Sequence, residues 1–319
     1  MNKLFGLFLL ALTFIPGGAE AANKFAFCAS TPCTWDNTNS PNIWFTATNG
    51  GGSATTVPGS TDIAIFDGNS CNAVACTFNV GATINGSSNQ IQGLTAGACT
   101  GATTGCFLNF ASGNPSITIG SNGMLLTGTG TRKYALGSGT FTITMTSGVV
   151  FDIGTVTGLD GTSTFTAPIV LSATTSSERQ FNGGGQTFGS LTVAANTSGG
   201  GLRFFSNNTF SALTLAGGTA TSLPAGTTTI SSAGSLGTGT ASSPILLTPG
   251  STTTGGITLS FSSGTVTADW IGLEGITTTG SGTFTATNCL NFGRLTLDTG
   301  DTCTAPAGSG GGGGRIIGG

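Results

Sequence analysis

Histidine is absent from all 319 residues. Serine and cysteine triads in their usual form are thereby excluded, because each needs an imidazole base. Charge is scarce as well: 8 Lys and Arg face 11 Asp and Glu, 6% of the chain, for a net −3. A nucleic-acid footprint needs clustered basic residues, so no nucleic-acid partner is expected. Disordered chains are highly charged and poor in apolar residues; this one is 37% hydrophobic, so it is expected to fold. Its surface must then be built from Thr, Ser, Asn and Gly. After Ile15 no apolar run is long enough to span a bilayer, and no helical periodicity appears.

The N-terminus differs from everything that follows. Lys3, the apolar run from Leu4 to Ile15, the break at Pro16-Gly17-Gly18 and the small–x–small Ala19-Glu20-Ala21 have the order of an export signal over residues 1–21. Its removal leaves seven bases against ten acids, still −3. The expected localisation is secreted or cell-surface, with no membrane insertion once the signal is gone; a virion is a further setting. No cysteine stands at the cleavage point, so a lipid anchor is not expected.

The 8 cysteines suit an exported chain. An even count outside the cytosol reads as disulfides, although eight cysteines allow roughly a hundred pairings. Proximity suggests Cys28 with Cys33, Cys71 with Cys76, Cys99 with Cys106, and Cys289 with Cys303. Thiolate metal binding is disfavoured, because there is neither His nor a CxxC. No metal or cofactor is expected.

What the chain has is repetition. Phe188-Gly189-Ser190-Leu191-Thr192-Val193 returns as Phe210-Ser211-Ala212-Leu213-Thr214-Leu215 and again as Phe292-Gly293-Arg294-Leu295-Thr296-Leu297, with a weaker echo at Ile91–Ala96. The first two copies begin 22 residues apart and the last two 82 apart. Phe141-Thr142-Ile143-Thr144-Met145 alternates apolar residues with Thr, as do many shorter segments. Such alternation marks strands with one buried face, and a period near 20 residues marks stacked coils.

The expected fold is all-β: a right-handed parallel β-helix (β-solenoid) over residues 81–304. A Cys- and Trp-containing capping module precedes it at 22–80, and a flexible Gly-rich tail follows at 305–319. Phe188, Phe210 and Phe292, with Leu191, Leu213 and Leu295, are expected to stack in inner ladders. A β-sandwich is the alternative; it calls for hairpin turns at regular spacing. A homo-oligomer is compatible with either architecture.

Trp35, Asn42-Ile43-Trp44, Gly50-Gly51-Gly52, Val57-Pro58-Gly59, Asp62 and Phe66-Asp67-Gly68 form a spaced series. Together with Asn207–Leu215, Leu223–Thr227 and Thr267–Ile271, it resembles β-rich proteins found among bacteriophage tail or virion-structural proteins and related bacterial surface, adhesin-like proteins. The matches span most of residues 35–297. The chain departs from that group at Phe27–Cys33, where Trp-Val-Gly-Gly is usual. The resemblance implies a structural or adhesive role and names no ligand.

Several motifs suggest chemistry. Asp298-Thr299-Gly300 copies the aspartic-protease triplet, but that reaction needs two carboxylates sharing a proton; a turn after a strand is the simpler reading. Asp298 with Asp301, and Asp62 with Asp67, offer two carboxylates each, whereas calcium takes about six to eight oxygens. The enzymatic alternative is a polysaccharide lyase or glycoside hydrolase on a β-helix, drawing on Asp152, Asp160, Glu178, Arg179, Arg203, Asp269 and Glu274. Asp269 and Glu274 flank Trp270, whose indole suits stacking on a sugar. Thr140, Thr142, Thr144 and Thr146 raise an ice-binding face, but the Thr spacing drifts between strands, and Thr then reads as an ordinary solvated strand residue. The expected function is a non-catalytic exported structural or adhesive protein that attaches to cells or glycans. Its binding candidates are Trp270, Asp269, Glu274 and Asn207, with no catalytic residue.

Overall fold

The computed structural model describes residues 22–28, 33–34, 43–47, 50–58, 62–65, 70, 77–79, 90–92, 106–120, 123–126, 132–154, 157–196, 201–250 and 256–307. The signal segment 1–21, Trp35, Asn42, Phe66, Asp67, Gly68, Cys71, Cys76, Cys99 and the tail 308–319 lie outside the described residues.

Alternation of Thr with branched or aromatic residues produces strands and little else. Among the described residues there is no α-helix, and a single 3-10 turn, Phe110–Ser112. The strands pair in parallel, except that Trp44–Phe45 runs antiparallel to Asn23–Ala26. Parallel pairing of successive segments cannot come from hairpins. The chain is therefore a β-solenoid, not a β-sandwich.

Twelve described strands form the first face, from Trp44–Phe45 and Asn23–Ala26 at one end to Leu290–Asn291 at the other. Pairing runs without a break across residue 80, from Asn23–Ala26 through Ile63–Ile65 to Gln90–Gln92. The second face begins with Cys33–Thr34, Thr77–Asn79, Cys106–Asn109 and Arg132–Ala135. The third begins with Ile117–Ile119, Phe141–Ile143 and Ile169–Leu171.

Two seven-residue strands, Thr187–Val193 and Thr209–Leu215, turn the corner between these faces. Phe188 bridges back to Phe165 on the second face, while Leu191 pairs with Ile169 on the third. Beyond them the second face continues as Gly226–Ile230, Ile257–Phe261 and Ile276–Thr279. The third continues as Gly234–Thr238, Thr265–Asp269, Thr283–Thr287 and Thr302–Cys303. Each of the later coils thus lays one strand on each of three sides.

Stacking similar coils aligns similar side chains. Phe188 lies over Phe210 with ring centroids 5.7 Å apart, and Phe151 over Phe181 at 4.7 Å. The file through Phe188 and Phe210 continues with Ile230 and Phe261. A second inner file reads Ile117, Phe141, Ile169, Leu191, Leu213. Each fully buried aromatic or aliphatic side chain contributes roughly 1.5–3 kcal/mol by leaving water, so these files stabilise a rod that has no globular centre.

The third hexapeptide departs from the expected ladder. Phe292 is 43% exposed, and Leu295 is only partly buried. The last coil is out of phase with the earlier copies. Leu290–Asn291 pairs on the first face, which sets Phe292 one corner too early, facing outward beside Glu274. Gly293 (φ 116°) and Arg294 (φ 52°) then turn the chain, and Thr296 reaches the second face opposite Thr277.

Among the described residues the last coil has a neighbour on one side only, and its closure is covalent and polar. Cys289–Cys303 forms a disulfide with Cα atoms 5.2 Å apart. Asp298 Oδ2 accepts from the Gly280 N–H (3.1 Å) and Asp301 Oδ1 from the Phe284 N–H (2.6 Å). The Asp298-Thr299-Gly300 triplet is a turn, closed by Asp301 N–H on the Asp298 carbonyl. At the other end Cys28–Cys33 is also bonded, and Trp44 is buried against the first face.

Candidate functional site

The corner at Trp270 joins the third face to the first. Thr265–Asp269 ends there, and Ile271–Leu273 begins immediately beyond it. Trp270 adopts φ 49°, a left-handed backbone that costs an L residue with a bulky side chain about 1–2 kcal/mol. One coil later the same corner is occupied by Asn288 at φ 48°. Asn tolerates this conformation and Trp does not, so the half-buried indole is held where an Asn would be cheaper. Backbone strain of this kind concentrates where a side chain is needed for a task.

Asp269 braces the corner. Its Oδ1 accepts from Asn288 Nδ2 (2.8 Å), Thr287 Oγ1 (2.8 Å) and the Trp270 N–H (3.0 Å). The Asn288 and Thr287 bonds hold its carboxyl below the usual pKa, against a small opposing effect of burial, so it is ionised at neutral pH. Oδ2 makes no bond within this cluster and faces outward with the Asp269–Thr287 row.

Glu274 stands at the far end of the strand Ile271–Leu273, which is about 10 Å long. Asp269 and Glu274 are therefore separated by more backbone than the roughly 5 Å gap of a retaining glycosidase pair. Between Trp270 and Glu274 the outward surface is apolar. Gly272 leaves a gap there, and the Phe292 ring and a Leu246 methyl occupy the space its Cβ would need. Leu290 pairs opposite Gly272 from the last coil. Leu246, Gly272, Leu290 and Phe292 thus form a strip along the first face that begins two residues beyond Trp270, with Asp269 around one corner and Glu274 at the opposite edge.

Asn207 is not part of this strip. It is exposed at a corner three coils earlier, beside Gly226. Its neighbour Asn208 is buried and structural: its side chain accepts from Gly185 N–H and donates to the Ser206 carbonyl.

The remaining charged candidates serve the fold. Asp152 accepts from Asn182 Nδ2 and the Gly154 N–H, and Asp160 caps the turn at Thr162. Arg179 is buried inside the coil, where its guanidinium donates to the Ala173 and Ala194 carbonyls at 3.0 Å each. Asp62 pairs with Lys24 at 2.8 Å. Among the described residues no group of three or more His, Cys, Asp or Glu could hold a metal ion.

Sequence reasoning selected Trp270, Asp269 and Glu274 but missed Leu246, Gly272, Asn288, Leu290 and Phe292. The signal for Asn288 is its equivalence with Trp270 between Asp269↔Thr287 pairs, which becomes visible only once the coil register is known. No protein-family model, curated protein or solved structure matches this chain.

Proposed function

We propose that the chain is an exported, non-catalytic attachment protein that presents its solenoid surface to glycans or another cell-surface ligand, as an adhesin or a virion-like structural component would. The supporting observation is the Trp270 corner: a half-buried indole in a strained backbone, beside an ionised carboxylate, opening onto an apolar strip. Sugar recognition uses this combination, an aromatic or apolar platform with a few fixed polar groups at its rim. The Cys28–Cys33 and Cys289–Cys303 disulfides suit an oxidising compartment. A polysaccharide lyase or glycosidase is the competing reading, and the strand separating Asp269 from Glu274 argues against the close carboxylate pair of a retaining glycosidase.

Glycan-array binding paired with a polysaccharide-degradation assay tests the proposal. Binding lost in Trp270→Ala, with no turnover by the native chain, supports attachment. Turnover that disappears in Asp269→Asn supports the enzyme instead.

A further inference from the structure

The second face carries a different surface. On its last coils Thr227, Thr258, Thr277 and Thr296 stand in one outward file. A parallel file two residues along reads Thr187, Thr209, Thr229, Ser260, Thr279. In sequence the first file is separated by 31, 19 and 19 residues. The loops absorb this drift, and the backbone ladder restores the alignment.

Three features set these files apart from the other threonine rows. Their register is unbroken from Gly226–Ile230 through Ile257–Phe261 to Ile276–Thr279, whereas the third face is interrupted by a bulge between Ser235 and Gly237. Their positions include no charged or aromatic side chain until Asp298 on the last coil. Their hydroxyls, moreover, are uncommitted. On the third face Thr214 donates to the Ser235 carbonyl, Thr265 bonds Thr283, Thr267 donates to Gly234 and Thr287 to Asp269. Among the described residues the side-chain hydroxyls of Thr227, Thr229, Thr258, Ser260, Thr277 and Thr279 make no such bonds, which leaves them free to bond to a ligand or solvent.

The result is a two-dimensional array of alternating hydroxyls and methyls. Strands lie about 4.8 Å apart and alternate residues about 6.7 Å apart along each strand. Both repeats lie close to oxygen–oxygen repeats on the faces of hexagonal ice. A hydroxyl fixed at such a repeat holds a water in a lattice position, while the adjacent methyl limits disordered hydration around it. A charge or a bulge would break that order, and the face has neither across Thr227, Thr229, Thr258, Ser260, Thr277 and Thr279.

We propose that this second-face threonine array binds ice. The site is independent of the Trp270 corner and needs no glycan. The test is the shape and growth of single ice crystals in a solution of the full chain, read as the gap between melting and growth temperatures, together with ice recrystallisation. The native chain is expected to facet the crystals and open such a gap. Thr258→Lys with Thr277→Lys should abolish it, and Thr227→Lys at the exposed end of the same file should weaken it. Thr267→Lys with Thr285→Lys on the third face should leave it unchanged, and so should Trp270→Ala. Far-UV circular dichroism and the melting temperature establish that each variant is folded; Thr227→Lys, at an exposed position, keeps the test valid if the double variant unfolds. Unaltered ice growth with the native chain overturns the proposal. So does a gap that survives folded second-face variants, or one lost equally through the third-face pair.

Discussion

Between Phe151 and Phe210 the interior of the solenoid is filled by rings, whereas beyond Leu236 it is filled mainly by aliphatic side chains with one stacked pair, Phe261 and Phe284. Every coil in the middle is covered on both sides, and it is fixed by packed rings together with polar groups such as Arg179 and Asn208. Among the described residues the final coil is covered on one side, and it is held by a disulfide and by Asp298 and Asp301, which accept from the Gly280 and Phe284 N–H groups of the coil before it. Stacked architectures lose neighbour interactions at their ends and need caps there. The surface features differ accordingly. The strained corner at Trp270, the exposed Phe292 and most of the threonine array belong to the later coils, whose interior holds fewer rings.

The sharpest way to break this contrast is to delete the same ring from both regions. Phe188→Ala should destabilise the chain by about 3–5 kcal/mol in a denaturant titration. Phe292→Ala, at the same place in the hexapeptide but half-exposed on Gly272, should cost about 1 kcal/mol. Equal effects would mean that the two copies share one environment.

The end-closure side of the contrast predicts the next largest effect. Cys289→Ser with Cys303→Ser removes a cross-link around a short loop, worth about 3 kcal/mol. Hydrogen exchange should accelerate in residues 289–304 and leave Thr187–Val193 protected. Acceleration spread evenly over the rod would show that the ends and middle unfold as one unit.

Thr221 sharpens the account of the interior. Its buried hydroxyl has no hydrogen-bond partner among the described residues, and it lies in one file between Leu202 and Leu247. Thr221→Val should therefore stabilise the chain by about 1 kcal/mol, measured as a higher denaturant midpoint. A loss of stability would reveal a partner for that hydroxyl.

The smallest effect concerns acid. The depressed pKa of Asp269 means that its bracing is present above the unfolded carboxyl value of about 4 and is lost as pH falls through the folded value. The protection factor of the Trp270 amide, its exchange corrected for the pH-dependent intrinsic rate, should fall in that acid range and lose this pH dependence in Asp269→Asn. A protection factor that falls as pH rises would contradict the assignment.

Much of the fold was legible because strand alternation and the Phe188 and Phe210 copies lie a near-regular period apart, and stacking requires just such likeness. Phe292 misled because sequence identity does not report the phase of a coil, and the last coil enters its hexapeptide one corner early. The threonine files were hidden for the same reason: loops of unequal length separate residues that the ladder places side by side. At the candidate site Trp270 and Asp269 announced themselves by residue type. Gly272 and Leu246 did not, since an outward glycine and leucine acquire meaning only from the Phe292 ring that lies across them.

In-register stacking of coils underlies both proposed surfaces, and cross-linking tests it most directly. Thr192 and Thr214 face outward on adjacent strands as register partners. Oxidation of a Thr192→Cys, Thr214→Cys variant should join the two peptides within one chain, as mapped by mass spectrometry without reduction. Failure of that bond to form in a folded variant, while Thr192→Cys does close a disulfide with a second cysteine introduced where an antiparallel or shifted pairing would place it, would contradict the solenoid and everything placed on its faces.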